Sequence, residues 1–199
     1  MPKGLIIVLS APSGAGKSSL CHLLMQRRKN ITYSISCTTR PRRPGEKDGK
    51  DYFFITEKQF KAKVKRNAFV EYACVHDHYY GTPKSHLREV IGSGRDIILD
   101  IDVQGGRSIH RMFPGAVMVF VMTPTFAELE RRLRTRNKDA EDVIRRRLKN
   151  ARKEVKELPH YDYLVVNDDL ERAAQELDAI ITAEHRRLLH ADMPRFNCR

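Results

Sequence analysis

The 199 residues include 37 Lys and Arg against 25 Asp and Glu, a net charge of +12, with 41% apolar residues and no Trp. The length fits one α/β domain, or a domain carrying inserted lobes, whose core needs no staples, and the charge calls for anionic partners, nucleotides or nucleic acid among them. No apolar run approaches the ~18 residues of a membrane span, and Lys3 with five apolar residues behind it falls short of a secretory leader, so the chain is expected in the cytoplasm and away from membranes.

Residues 5–24, LIIVLSAPSGAGKSSLCHLL, read as strand, phosphate loop and helix. Residues 5–9 are apolar without interruption, as in a strand buried on both faces, and Leu20, Leu23 and Leu24 recur at i, i+3, i+4 on one helix face. Gly14 and Gly16 let successive N–H groups turn inward as a nest for phosphate oxygens at a helix N-terminus. Lys17 is placed to reach the β- and γ-phosphates of a nucleoside triphosphate, and the Ser18 hydroxyl to take a place on Mg²⁺. The strict pattern wants Gly where this chain has Ala11. A negative φ is all that residue needs to fit, and the flanking strand and helix are the context that separates a phosphate loop from a plain glycine-rich turn.

Residues 31–37 read as a short strand, and the following TTRPRRPG breaks regular structure with two prolines and a glycine. Its Arg40, Arg42 and Arg43 make either a clamp for a second phosphate, which guanidinium forks bind in bidentate fashion, or a basic surface loop. Residues 52–55 read as a strand, and Thr56 with Gln59 as a capping box opening a helix that carries Phe60 and Val64. In 69–75 the alternation puts Phe69, Glu71, Ala73 and Val75 on one side, so a carboxylate interrupts an apolar face. A buried acid needs donors. Guanine offers N1–H and the N2 amino group side by side and adenine does not; an internal ion pair is the competing explanation. Thr82 reads as the N-cap, and Pro83 as the first residue, of a helix ending at Gly92 or Gly94. His76 and His78 lie two apart, with no further metal ligands to join them.

Residues 97–99 run into Asp100 and Asp102, an apolar strand ending in acids as a Walker B strand does, where a carboxylate orders Mg²⁺ or its waters. Gly105 and Gly106 then open another helix. Residues 116–122 form a third buried strand, Thr125 and Glu128 a capping box, and Phe126, Leu129 and Leu133 the core stripe of a helix on which Arg132 and Arg136 share a face. From Asp139 a second helix bears Val143, Ile144 and Leu148 together with Arg145, Arg146 and Arg147, of which at most two can reach one ligand. These two arginine-rich helices, joined near Asn137 and Lys138, read as a lid that closes over phosphates. Residues 163–166 give the last strand, 167–169 cap the final helix, and Leu170, Ala174, Leu177 and Ile181 form its buried stripe. Strands alternating with helices imply a parallel sheet with ligands at the carboxyl ends of its strands. The four cysteines, Cys21, Cys37, Cys74 and Cys198, contain no C-x-x-C pair and argue for free thiols, with Cys21 and Cys74 in or near the core.

The segments SAPSGAGKSS, SISCTTRPRRPGEKDGKDYFF, FVEYA, YYGT, ILDIDVQG and VVNDD, in this order and spacing, resemble guanylate kinases of the bacterial type, members of the P-loop nucleoside monophosphate kinases, from about residue 5 to about residue 184. Bacterial members often carry Ala at the place of Ala11. The resemblance implies a three-layer α/β/α P-loop NTPase fold with a central parallel sheet, one domain over 1–199. Its core covers about 1–32, 84–125 and 158–199, an inserted GMP-binding lobe of mixed α+β about 33–83, and a helical lid about 126–157. It implies Mg²⁺-dependent phosphorylation of GMP and dGMP by ATP, giving GDP or dGDP and ADP, in purine nucleotide metabolism. Carried over by position, Arg40, Arg43, Tyr52 and Tyr80 hold the GMP phosphate, Ser36, Glu71 and Thr82 read guanine, and Asp100 and Asp102 serve the metal and the substrate. The metal is met by Ser18 and by Asp100, directly or through water. Ala11, Pro12, Ser13, Gly14, Ala15, Gly16, Lys17, Ser18 and Ser19 hold the ATP phosphates, Asn167 contacts adenine, and Lys17 acts in catalysis with Arg132, Arg136 and Arg147 of the lid. Two departures stand out: the family commonly has Gly-Asn at Asp77-His78 and Gly at Asn137.

The chemistry needs no catalytic base, because a monophosphate oxygen, with a second pKa of ~6, is already largely anionic and requires alignment and charge neutralisation. Two readings from other classes remain open at this point. A catalytically inactive guanylate-kinase-like module would keep the phosphate-binding lobe for phosphopeptides, which the intact Lys17, Ser18, Asp100 and lid arginines oppose. A nucleic-acid binder would explain the charge, but no RNA-stacking motif accompanies it, so nucleic acid is not an expected partner. A different phosphoryl acceptor, such as a sugar phosphate, is disfavoured by Glu71, Ser36 and Thr82. A homo-oligomer is compatible with the sequence and not specified by it.

Overall fold

The computed structural model describes residues 4–75, 77–136 and 141–187. In chain order the elements are β1 (Ile6–Ser10), α1 (Lys17–Arg27), β2 (Ile31–Tyr33), β3 (Cys37–Thr38), β4 (Phe53–Phe54), α2 (Glu57–Lys65), β5 (Phe69–Val75), β6 (His78–Pro83), α3 (Lys84–Gly92), β7 (Asp96–Asp100), α4 (Val103–Met112), β8 (Val117–Met122), α5 (Phe126–Arg136), α6 (Glu141–Val155), a 3₁₀ turn (Leu158–His160), β9 (Tyr163–Val166) and α7 (Leu170–Glu184). A five-stranded, wholly parallel sheet runs in the order β2-β7-β1-β8-β9. Its central strands β1, β7 and β8 are apolar and buried over most of their length because both faces are covered. Leu5, Ile7 and Leu9 point to one side, against Leu20, Cys21 and Leu24 of α1 and Ala173, Ala174, Leu177 and Ile181 of α7. Ile6 and Val8 point to the other, against Leu87 and Val90 of α3 and Ile109 of α4. This three-layer α/β/α arrangement is the expected one. Leu170 departs from expectation: at the first turn of α7 it is exposed, and the helix packs only from Ala173 onward. The N-cap of α7 is Asp169, whose carboxylate accepts the Arg172 N–H at 2.9 Å.

A second sheet, β4-β3-β6-β5, lies in the 37–83 stretch. The expected strand 31–37 divides between the two sheets: β2 ends at Tyr33, Ser34 N–H still donates to the Ile98 carbonyl at 2.8 Å, and pairing resumes in the other sheet at Cys37. The expected strand 52–55 shrinks to Phe53 and Phe54, with Tyr52 in an isolated bridge to Asp48. The capping box at Thr56 is present in both directions, Gln59 N–H to Thr56 Oγ1 at 3.2 Å and Thr56 N–H to Gln59 Oε1 at 2.8 Å.

The expected face of β5 is corrected by a bulge. The register shifts between Phe69 and Glu71, so Phe69 turns to the opposite side, where it stacks on Phe60 at 4.6 Å and meets Tyr72, while Glu71 and Ala73 face the cleft described below. Cys74, expected near the core, is exposed, and Cys21 and Cys37 are buried. Thr82 is not a helix cap. It belongs to β6, paired with Glu71, and Pro83 takes the N-cap position of α3. At the β5–β6 turn Asp77 adopts φ +63°, a conformation Asp tolerates better than most residues, so no glycine is needed at that position. His76 and Cys198 lie outside the described residues.

Helices α5 and α6 pack together through Leu129, Leu133, Ile144, Leu148 and Ala151, with Ala15 buried among them. The Thr125 hydroxyl accepts the Glu128 N–H at 3.1 Å, but the Glu128 carboxylate does not complete a box, because Arg131 and Arg132 take it up instead. The expected helix start at Asp139, the Asn137 and Lys138 junction and the Arg136 side chain lie outside the described residues. Among those described, no helix is long and apolar enough to cross a membrane.

Candidate active site

The carboxyl ends of β1, β7, β8 and β9 open on one side of the parallel sheet, and each is followed by residues singled out from sequence. After β1 the chain turns through residues 11–16, with Gly14 at φ +93° and Gly16 at φ +91°, backbone that L side chains avoid. Ala11 takes a negative φ and packs between the first core cluster and that of α5 and α6. Ala15 N–H donates to the Pro12 carbonyl at 3.1 Å. Gly16 is the N-cap of α1, and the first turn of that helix holds no acid to compete with an incoming anion for its N–H groups.

Lys17, the first residue of α1, forms an ion pair with Asp100 at the end of β7 and donates from Nζ to the Ile101 carbonyl at 3.1 Å. The ammonium is thereby held at the carboxyl end of β7, beside the loop. Asp102 is the N-cap of α4, accepting the Gly105 N–H on Oδ1 at 2.8 Å, so that helix opens at Val103 and not at the glycines. A side chain at Gly105 would place Cβ 3.3 Å from Glu71 Oε2; the glycine there lets α4 lie against that carboxylate.

Ser36, Tyr52, Glu71, Ala73, Tyr80, Asp100, Ile101 and Asp102 line one cleft of about 280 Å³. At one end the Thr82 hydroxyl donates to Glu71 Oε1 at 2.6 Å and lies 3.5 Å from Ser36 Oγ. No Lys or Arg among the described residues pairs with Glu71, so the ion-pair explanation for its position is overturned. Burial pushes the Glu71 carboxyl above the ordinary range, with Asp102 adding to this and the Thr82 hydrogen bond opposing it.

At the other end the Tyr52 and Tyr80 rings meet edge to face at 5.9 Å, and the Arg40 guanidinium lies 5.5 Å from the Tyr52 ring centre. Arg40 is oriented by Glu46, with NH2 to Oε1 at 2.7 Å and NH1 to Oε2 at 3.1 Å, and Arg43 N–H donates to the same carboxylate at 2.8 Å. The Arg42 and Arg43 side chains are exposed.

Arg132 reaches toward the phosphate loop from α5, bound to Glu128 at 2.7 Å and 3.5 Å from the Asp168 carbonyl. Together with Arg131 it holds the Glu128 carboxyl down at about 2. On α6, Arg145 and Arg146 are exposed and Arg147 is half-buried. Asn167 sits behind the loop. It is 3% exposed, and its Nδ2 donates to the Ala15 carbonyl at 2.7 Å, so it braces the loop backbone. Replacing Asn167 with Ala leaves that carbonyl unpaired in a buried place. The expected cost is about 1–3 kcal/mol of stability, read as a lowered Tm, with a raised KM for ATP in steady-state kinetics.

Three residues of the site escaped the sequence reading. Glu46 had a signal, the first acid after Arg40, Arg42 and Arg43 and three places beyond the last of them. Tyr33, whose hydroxyl lies beside Asp100 and is pushed up by burial and by that charge, and Glu154 of α6, half-buried near Lys17 and Asp102, had none, since only the folded chain brings them there.

A family model described as guanylate kinase matches residues 3–184. The guanylate kinase of Syntrophotalea carbinolica is 51% identical over 181 residues, 91% of this chain and 86% of that protein. The crystal structure of guanylate kinase from Anaplasma phagocytophilum matches with a TM-score of 0.77 and 33% identity, over 96% of this chain and 90% of that one. Shikimate kinase from Bacteroides thetaiotaomicron, at TM-score 0.50 and 16% identity over 89% of this chain and 98% of its own, is alike in fold alone. With the phosphate loop, the acid-tipped β7 and the two-ended cleft in one molecule, the chain belongs to the guanylate kinase family.

Proposed function

We propose that the protein transfers the γ-phosphoryl group of ATP to GMP or dGMP, releasing ADP and GDP or dGDP. The observation that carries this is the continuity of one cleft. An acceptor cluster (Glu71, Thr82, Ser36) stands at one end and a cationic and phenolic cluster (Arg40, Tyr52, Tyr80) beside it, with Asp100 joining the cleft to Lys17 and the phosphate loop. A nucleoside monophosphate with its base on Glu71 and its phosphate on Arg40, Arg43, Tyr52 and Tyr80 is then directed at a triphosphate held by the loop amides and Lys17. Guanine N1–H and N2–H donate to the Glu71 carboxylate, with Ser36 and Thr82 completing the base contacts.

An oxygen of the GMP phosphate attacks Pγ in line, the bond from Pγ to the β,γ-bridging oxygen breaks, and ADP leaves. Lys17 and the arginines of α5 and α6, Arg132, Arg136 and Arg147, neutralise the charge spread over the equatorial oxygens and exclude water as the lid closes. Asn167 serves the ATP side, at the position proposed to contact adenine, and fixes the phosphate loop through the Ala15 carbonyl.

The donor set fits Mg²⁺. Among the described residues no group of three or more His, Cys, Asp or Glu could form an all-protein cage. One or two carboxylates and a hydroxyl beside a polyphosphate are what Mg²⁺ requires. Ser18 and Asp100, directly or through water, would hold it, and the bound ion supplies charge neutralisation to the β- and γ-phosphates. Coupled-enzyme detection of ADP tests the whole: GMP-dependent ADP formation that EDTA abolishes and excess Mg²⁺ restores is expected. ADP formation indifferent to GMP would contradict it.

A further inference from the structure

Away from the cleft, α4 presents Arg107, His110 and Arg111 at i, i+3, i+4, so the three share one face. His160 and Tyr161 stand opposite, and with Met118 of β8 these six residues line a separate groove of about 390 Å³. Basic side chains in the last turn of a helix commonly offset its dipole, which accounts for His110 and Arg111 alone. It does not account for His160, brought to the same groove by a different element. One carboxylate enters the cluster among the described residues: Glu157, which pairs with Arg107 and lies 4.0 Å from His160 Nε2. Arg111 donates Nε to the Arg107 carbonyl at 3.3 Å and has no carboxylate partner among the described residues, which leaves its terminal amines for an anion. The floor is of another character. The Met118 side chain and the Tyr161 ring are apolar, and the Tyr161 hydroxyl is buried beneath the first turn of α4, where a Cβ on Gly106 would come within 2.9 Å of it.

We propose that this groove is a second anion site, for a phosphorylated small molecule whose phosphate lies on Arg111, His110 and His160 and whose apolar part lies against the Tyr161 ring. Guanidinium and imidazole donors from two elements fix a phosphate by charge-assisted hydrogen bonds, and none of these residues lines the nucleotide cleft.

The test uses the full-length protein and inorganic pyrophosphate as probe. The ring proton signals of His110 and His160, assigned with His110→Gln and His160→Gln, are followed by NMR during titration, with and without GMP at a concentration that fills the cleft. Saturable shifts of both signals are expected, unaffected by GMP, with apparent affinity about tenfold weaker in Arg111→Glu, the loss of one charge-assisted contact. Arg111 is exposed, so the variant is expected to fold and to keep the wild-type rate without pyrophosphate. Absence of shifts, shifts of equal affinity in Arg111→Glu, or shifts abolished by GMP would each overturn the proposal.

Discussion

Replacing Lys17 with Met is expected to lower kcat by about 10²–10³ or more, the loss seen when one preorganised donor to a developing oxyanion is removed, while GMP binding measured by calorimetry stays close to wild type. The ammonium is fixed by Asp100 and by the Ile101 carbonyl at 3.1 Å, so in the proposed reaction it would meet the γ-phosphate already ordered. In the proposed arrangement GMP is held mainly by residues of the other sheet and of its arginine loop, and of the cleft side chains Asp100 alone pairs with Nζ, which is why the two readouts separate. A variant that binds GMP normally and still turns over at the wild-type rate would remove Lys17 from the mechanism.

Glu71→Gln is expected to cut kcat/KM for GMP by about 10²–10³, since the amide keeps one acceptor for Thr82 but turns an N–H donor toward a base that itself presents donors. The pH dependence carries a second signature. The folded-state pKa of Glu71 is raised by burial, so the anion that guanine requires is lost, as pH falls, at higher pH than an ordinary carboxylate would be. The KM for GMP should therefore climb early on the acid side in the wild type, and this limb should be missing in Glu71→Gln. Stability moves the opposite way. A carboxylate with a raised folded-state pKa costs stability at neutral pH, and the cost is relieved as pH falls through that value, so the nucleotide-free Gln variant should melt higher at pH 7. A lower Tm together with an unchanged KM would show that Glu71 serves the fold and not the base.

Much of the site was legible in the chain because its parts are local. The phosphate loop is nine or so consecutive residues whose backbone demands, glycine at two left-handed positions, are written in the sequence. The acid tip of β7 and the buried stripes of α1 and α5 follow from periodicity alone. The misreadings share a cause: each depends on a distant partner. Thr82 has the chemistry of a cap, and only the pairing of β6 with β5 gives its hydroxyl to Glu71. The alternation of β5 hides its bulge because Phe69 and Val70 are both apolar and either suits the core side, so nothing local marks the register shift before Glu71. The 31–37 segment looked like one strand, since nothing local tells a chain that Ser34 marks its exit from one sheet and Cys37 its entry to another. Tyr33 and Glu154 reach Asp100 and Lys17 from elements that sequence distance keeps apart. The groove between α4 and His160 is of the same kind, a juxtaposition of two stretches about fifty residues apart.

The most direct test of the assignment is ADP formation from ATP and Mg²⁺ with GMP, dGMP, AMP, CMP and UMP offered separately at equal concentration. Turnover confined to GMP and dGMP is the expected result, because the Glu71, Thr82 and Ser36 cluster accepts from guanine what the other bases do not present. Comparable turnover with AMP or a pyrimidine nucleotide, or tight GMP binding with no ADP formed, would contradict it.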